Sequence, residues 1–213
     1  MAFFNGCRLF FTGLCVALLI ACTDDSEMSD TLLVPEIISV DFDRDFQPGF
    51  IRIYSAGSHT YLGTNAEEFK SSERPRMKVN FTYDFSMGNH EVTCDEYNGI
   101  LRKIDLPLNA DCDGDFPVTD VSYFEAVLFA NAKSKLAERD TAYSYSSVSF
   151  NGDNHVQNIE GLNFIPQSNG FRLPTEAEWN LVASLDWQTR FAWTAENSEY
   201  KLHEACSMPP SKV

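Results

Sequence analysis

The stretch GFRLPTEAEWNLVAS, residues 170–184, carries dense local instruction for one strand-to-helix junction. Phe171 to Leu173 predicts a short strand, and Pro174, which has no amide proton and fixes its own φ, halts it. Thr175 then offers a hydroxyl to the orphan amides of a helix start, and Glu178, three residues on, can reach back to the Thr175 amide, completing a capping box. Glu176 and Glu178 occupy the first turn, where carboxylates meet the positive end of the helix dipole. Trp179, Val182 and Ala183 follow at helical spacing and face a core. Arg172 can pair with Glu176 or Glu178 across the turn, and a guanidinium holds a carboxylate with two parallel bonds where an ammonium cannot. Two carboxylates beside an aromatic ring also fit acid–base catalysis, but capping and the dipole account for both without chemistry.

The same device opens two earlier helices, at Thr93-x-x-Glu96 and Ser122-x-x-Glu125. Each cap contributes about 1 kcal/mol. After Ser122, Phe124, Leu128, Ala132 and Leu136 recur every fourth residue with Lys133, Lys135, Glu138 and Arg139 off the stripe, which predicts a helix facing one core. VNFTYDFS (79–86) alternates apolar and polar residues and predicts a continuous strand. FIRIYS (50–55) and a second short segment bracketed by Gly57 and Gly63 predict a hairpin. Between Thr141 and Ile165, three β-like runs flank the turn signal Asn151-Gly152-Asp153-Asn154. Short strands and three capped helices without βαβ alternation predict an α+β fold with much irregular loop.

Outward from this region the chain changes character. Arg8 precedes an apolar run from Leu9 to Ala21, too short for a stable membrane span but the length of a signal-peptide core. Leu19-Ile20-Ala21-Cys22 is similar to the bacterial lipoprotein box, in which lipid joins the cysteine thiol and the preceding peptide is removed. Residues 1–21 are therefore expected to be a leader, Cys22 the lipidated residue, and the protein to reside in the bacterial cell envelope, with its membrane contact through that lipid. Two or more acyl chains make such anchoring durable. Residues 22–47, acid-rich in TDDSEMSD and DFDRDF, suit a tether. Residues 48–213 form the domain. Loss of Arg8 with the leader takes the net charge from −15 to −16. Such a field repels nucleic acid and excludes it as a partner.

Gly170-Phe171-Arg172-Leu173-Pro174-Thr175-Glu176-Ala177-Glu178-Trp179 resembles the signature of the formylglycine-generating enzyme family, also called the sulfatase-modifying-factor domain. Leu62-Gly63, Glu73-Arg74-Pro75, Glu91-Val92-Thr93 with Tyr97, Pro117-Val118 and Val121-Ser122-Tyr123 with Glu125-Ala126 and Asn131 are similar to its upstream blocks in the family's order. Phe191-Ala192-Trp193-Thr194 resembles a degraded aromatic-Pro-Trp-Gly turn. The resemblance implies an irregular α+β fold related to C-type lectins, here incomplete at the C-terminus. It also implies copper or iron chemistry in catalytic members, calcium in the family's loops, and non-catalytic lipoproteins and binding modules among the rest. The blocks that carry the second half of that fold, Gly-Asn-Val-Trp-Glu-Trp and Arg-Gly-Gly-Ser-Trp, and the catalytic cysteine pair do not occur in this sequence.

The remaining chemistry-bearing residues give no constellation. Cys94, Cys112 and Cys206 survive loss of the leader and lipidation of Cys22; a Cys94–Cys112 disulfide and buried thiols are both compatible with their spacing. None matches a catalytic position of the family, and Cys206 with His203 is too sparse for a cysteine nucleophile. His59, His90, His155 and His203 lack ligand spacing. Asp111-x-Asp113-Gly114-Asp115 departs from a calcium loop at its sixth and twelfth positions and reads as an acidic turn. No catalytic or metal-ligating residue is therefore expected, and no cofactor beyond copper, iron or calcium by resemblance alone. The leading expectation is a membrane-anchored lipoprotein with a non-catalytic domain. The alternatives are a fragment of a metal- and oxygen-dependent thiol oxidase and a surface module for glycan or protein, with Tyr143, Tyr145, Trp187 and Trp193 as candidate stacking aromatics.

Overall fold

The computed structural model describes residues 40–45, 47–107, 112–185 and 192–209. Cys22, Asp111, Trp187 and Phe191 lie outside them. Strands β1 (Phe42–Arg44), β2 (Phe50–Ile53), β3 (His59–Leu62), β4 (Met77–Asn80) and β5 (Phe85–Gly88) come first in the chain. Helices α1 (Cys94–Lys103) and α2 (Tyr123–Leu136) follow, then β6 (Tyr143–Ser144), β7 (Ser147–Phe150), β8 (Val156–Glu160), β9 (Asn163–Phe164) and α3 (Glu176–Leu185). The strands form small antiparallel sheets: β1-β2-β5, and the pairs β3-β4, β6-β9 and β7-β8. This is the expected mixture of helix and small sheets. The β7–β8 pair turns at Asn151, whose side-chain oxygen accepts from the Asp153 and His155 amides.

Sequence periodicity misplaced several elements. FIRIYS forms β2, but β2 pairs with β1 and β5 rather than with β3. The chain leaves the sheet at Ser55, whose buried hydroxyl bonds the Tyr83 carbonyl, and turns at Gly57 with φ +87°. The alternating stretch 79–86 breaks into β4 and β5, which belong to different sheets. Its corner is tied down by the Asp84 carboxylate on the Ala56 amide and by the Phe81 carbonyl on the Gly57 amide. Alternation survives the break because Phe81 and Phe85 both enter one core. Strand β1 lies within the span 22–47 given to the tether, and Val40 is already buried.

Three buried clusters organise the described residues. The first packs Val40, Ile53, Phe81, Phe85 and Met87 against Ala177, Leu181, Val182 and Ala183 of α3. A second joins Phe50, Tyr97, Leu101 and Phe171 to Phe129 and Ala132. Val127, Leu128 and Ala130 face a third, with Tyr143, Val156 and Ile159. Helix α2 therefore lies between two cores rather than facing one, which is why Val127, Phe129 and Ala130 off the four-residue stripe are buried while Leu136 on it is 42% exposed. Inside this helix Asn131 pairs with the backbone of Tyr143 through both amide atoms, Nδ2 to O at 2.8 Å and N to Oδ1 at 3.2 Å, satisfying a buried strand end.

Candidate functional site

Residues 171–173 join no sheet. Side chains replace a neighbouring strand: the Phe171 amide donates to Ser134 Oγ at 2.8 Å and the Leu173 amide to the Tyr143 hydroxyl at 3.1 Å. Gly170 makes this approach feasible, because a Cβ there would lie 2.0 Å from the Asp140 carbonyl oxygen.

Beyond Pro174 the capping box forms as the spacing predicts. The Glu178 amide donates to Thr175 Oγ1 at 3.2 Å, and the Thr175 amide to Glu178 Oε2 at 2.8 Å. Of the two candidate partners, Arg172 selects Glu178, with Nη1 to Oε2 at 2.7 Å and Nη2 to Oε1 at 2.5 Å. Tyr83, from the corner between β4 and β5, donates its hydroxyl to Oε1 at 3.1 Å. Glu178 is 1% exposed, whereas Glu176 is exposed in the first turn and Trp179 packs half-buried on the first core. Burial pushes the Glu178 carboxyl up, but the Arg172 guanidinium, the Thr175 amide and the Tyr83 hydroxyl outweigh it and hold the group below its ordinary range. A carboxylate so saturated stays ionised at neutral pH and has no proton to exchange with a substrate. Leu181, fully buried, and Tyr83 were missed in the sequence: the first falls between the expected inward positions, and the second sits 95 residues from its partner.

The other two caps diverge. Ser122 and Glu125 make a full box, with the Ser122 amide on Glu125 Oε2 at 2.7 Å and the Glu125 amide on Ser122 Oγ at 3.3 Å. Thr93 accepts from the Glu96 amide at 3.2 Å, but the Glu96 side chain does not return to the cap. It binds Lys133 Nζ at 2.5 Å instead, because α2 presents an ammonium that lies 5.0 Å above the rings of Phe50 and Phe171. Lys133, expected off the buried stripe, is thus drawn inward, and burial holds its ammonium below the usual lysine range against the pull of Glu96.

Between α1, α2 and the β7–β8 hairpin lies a cleft of about 20 Å³. Leu101, Leu106, Pro107, Phe150 and Val156 supply its apolar wall and Glu125 its acid. Glu125 Oε1 also accepts from the Val156 amide at 3.2 Å and lies 2.9 Å from Nδ1 of His155, which is half exposed at the rim.

Cys94 and Cys112 form a disulfide, settling the choice left open by their spacing. Cys206 is exposed and takes no part in it. A copper centre needs converging thiolates. Here two sulfurs are bonded to each other, so the described donors do not fit one. Among the described residues no group of three His, Cys, Asp or Glu converges as a cation site; Asp111, the first residue of the acidic turn, lies outside them. His59, His90, His155 and His203 stand apart: His90 Nδ1 meets the Glu91 carbonyl, and His203 stacks on Trp193 at 3.6 Å while its Nε2 meets the Ser198 carbonyl. Tyr143, a candidate stacking aromatic, is buried, with its hydroxyl engaged by Leu173. No helix among the described residues is long and apolar enough to cross a membrane.

An α+β scaffold whose best-specified junction is a saturated ion pair matches a known domain class. The description "Sulfatase-modifying factor enzyme 1-like domain" fits residues 43–208, and the chain belongs to that family. A curated relative, "Chaperone protein LppX" of Paenibacillus barcinonensis, is 31% identical over 120 residues, covering 54% of this chain and 42% of its own length. A solved structure titled "Crystal Structure of CarF" is 26% identical with a TM-score of 0.42, covering 63% of this chain and 55% of that one. The chain thus spans less than half the length of the curated relative and about half that of the solved structure.

Proposed function

We propose that this is an exported protein held on a membrane by lipid on Cys22, whose sulfatase-modifying-factor domain binds a protein partner and carries no redox centre of its own. One observation carries the non-catalytic part. The polar groups of the signature junction, Arg172, Thr175 and Glu178 with Tyr83, are spent on one another, so the feature that marks the family serves here as architecture. The Leu19-Ile20-Ala21-Cys22 box supports the anchor and an envelope location, and the acidic residues that follow Cys22 suit a tether. A protein partner is favoured over a glycan because Tyr143, one of the candidate stacking aromatics, faces inward, and because a relative bears the name of a chaperone.

The full chain and its Cys22→Ser variant, expressed in a bacterium and fractionated after labelling with palmitate, test the anchor. Label and membrane association are expected for the native chain only; a native chain that stays unlabelled and soluble contradicts it. Suppression of light scattering from reduced, unfolding lysozyme tests the binding role, and no suppression at equimolar chain removes it. The alternative, part of a metal- and oxygen-dependent thiol oxidase, draws support from family membership and from the share of its relatives that the chain spans. Oxidation of a cysteine peptide separates the two.

A further inference from the structure

The cleft beside α2 combines features that a single kind of side chain would satisfy. We propose that it receives a lysine or arginine side chain of a protein partner, the methylene stem lying on Leu101, Leu106, Pro107, Phe150 and Val156 and the cationic head meeting Glu125. Such a pocket rests on the protein-binding function proposed above and specifies the chemistry it takes.

Size comes first. An enclosed volume of about 20 Å³ is room for one or two waters, which excludes a buried ring or a metabolite, so a basic side chain would lie along the open cleft rather than inside it. Carbon from α1 with its following loop and from both strands of the hairpin forms one side of the cleft, along which a stem can lie, while Tyr97, Asn154 and His155 add polar groups beside it. Only the head of a basic side chain then needs a polar partner.

Glu125 supplies that partner. Burial raises its carboxyl, but the Ser122 amide and hydroxyl, His155 and the Val156 amide outweigh burial, so it is ionised at neutral pH. Oε2 accepts from Ser122, and a carboxylate oxygen accommodates a second donor. Near Oε1 the ring of His155 already occupies a donor position at the rim, which shows that a nitrogen fits from the open side. The chain's net charge of −15 would draw a basic segment towards it.

Saturation-transfer NMR on the full chain in non-ionic micelles tests this with blocked amino acids: Nα-acetyl-arginine amide, the neutral Nα-acetyl-norleucine amide and the acidic Nα-acetyl-glutamate amide. Saturation is expected for the arginine probe, strongest on its side-chain methylenes, and about tenfold weaker affinity for norleucine, as loss of one charge-assisted contact implies. Glu125→Gln keeps an acceptor for the Ser122 amide, since glutamine also completes a box, though it gives up the contact to the Val156 amide, and should weaken arginine binding by a similar factor. Phe150→Ala, at a half-exposed position, should reduce saturation of the stem without unfolding the chain. Equal saturation of arginine and norleucine, an unchanged arginine affinity in Glu125→Gln, or no saturation of any probe overturns the proposal. Those results leave the lysozyme scattering assay untouched, so the pocket and the broader binding role fail separately.

Discussion

Arg172 and Glu178 face each other across the turn at Pro174 with two parallel hydrogen bonds, 2.7 and 2.5 Å long, and Glu178 is almost wholly enclosed. Removing the acid leaves a guanidinium, itself only 25% exposed, without its counter-charge. Glu178→Ala is therefore expected to cost about 3–5 kcal/mol in urea unfolding. Tyr83→Phe deletes one hydrogen bond to the same carboxylate and should cost about 1 kcal/mol. Equal, small losses for both would mean that the pair is not the anchor of the junction.

The same carboxylate makes stability depend on pH. Its folded value lies below the ordinary 4.5, so its contribution is complete above that value and fades as pH falls through the lower folded one. Urea midpoints of the native chain should thus drop more steeply on acidification below about 4.5 than those of Glu178→Gln. Parallel pH profiles for the two would contradict the assignment.

Gly170 should tolerate no side chain. A Cβ at this position would meet the Asp140 carbonyl oxygen at 2.0 Å, Ser134 Oγ at 2.8 Å and the Ala142 amide at 3.2 Å, two of them backbone atoms that cannot swing aside. Gly170→Ala is expected to destabilise by about 3 kcal/mol or more, through overpacking rather than backbone strain. Gly152→Ala, with nothing within 4 Å, is the control and should stay within about 1 kcal/mol. Thermal melts of the two variants suffice.

Glu96 and Lys133 form a pair that must be changed together. Glu96→Ala leaves a half-buried ammonium over two aromatic rings and should cost about 2 kcal/mol. Adding Lys133→Met keeps the stem volume while removing the charge, and should restore most of the loss. A double variant as unstable as the sum of the singles would show the two side chains to be independent.

The disulfide closes a loop with 18 residues of separation. Replacing Cys94 and Cys112 with serine together should lower unfolding free energy by about 3 kcal/mol. Dithiothreitol should shift the native chain to the same midpoint and leave the double variant unmoved.

Local signals were legible where one segment determines its own geometry. The hydroxyl and carboxylate three residues apart at Ser122 and Thr175, the turn at Asn151 and the α+β mixture all follow from short-range chemistry. What failed depended on partners distant in sequence. Alternation in 79–86 records which side chains enter a core, and it is blind to a corner fixed by Ser55 and Ala56. Phe171 to Leu173 has strand composition, yet its amides find Ser134 and Tyr143 instead of a ladder. A four-residue stripe could not reveal a second core around α2, because Val127 and Ala130 need Ile159 and Tyr143 to bury them. Glu96 fits a capping pattern, and only the packing of α1 on α2 shows the competing ammonium.

The most direct test of the central claim is an oxidation assay. The purified full chain, supplied with copper, dithiothreitol and air, is incubated with a sulfatase-type peptide bearing its cysteine, and aldehyde is quantified with a hydrazide probe. On the proposed reading no aldehyde above the copper-only control is expected, since the polar groups of the signature junction, Arg172, Thr175, Glu178 and Tyr83, are spent on one another. Catalytic aldehyde formation that disappears when one of this chain's own side chains, such as Cys206, is replaced would contradict the account.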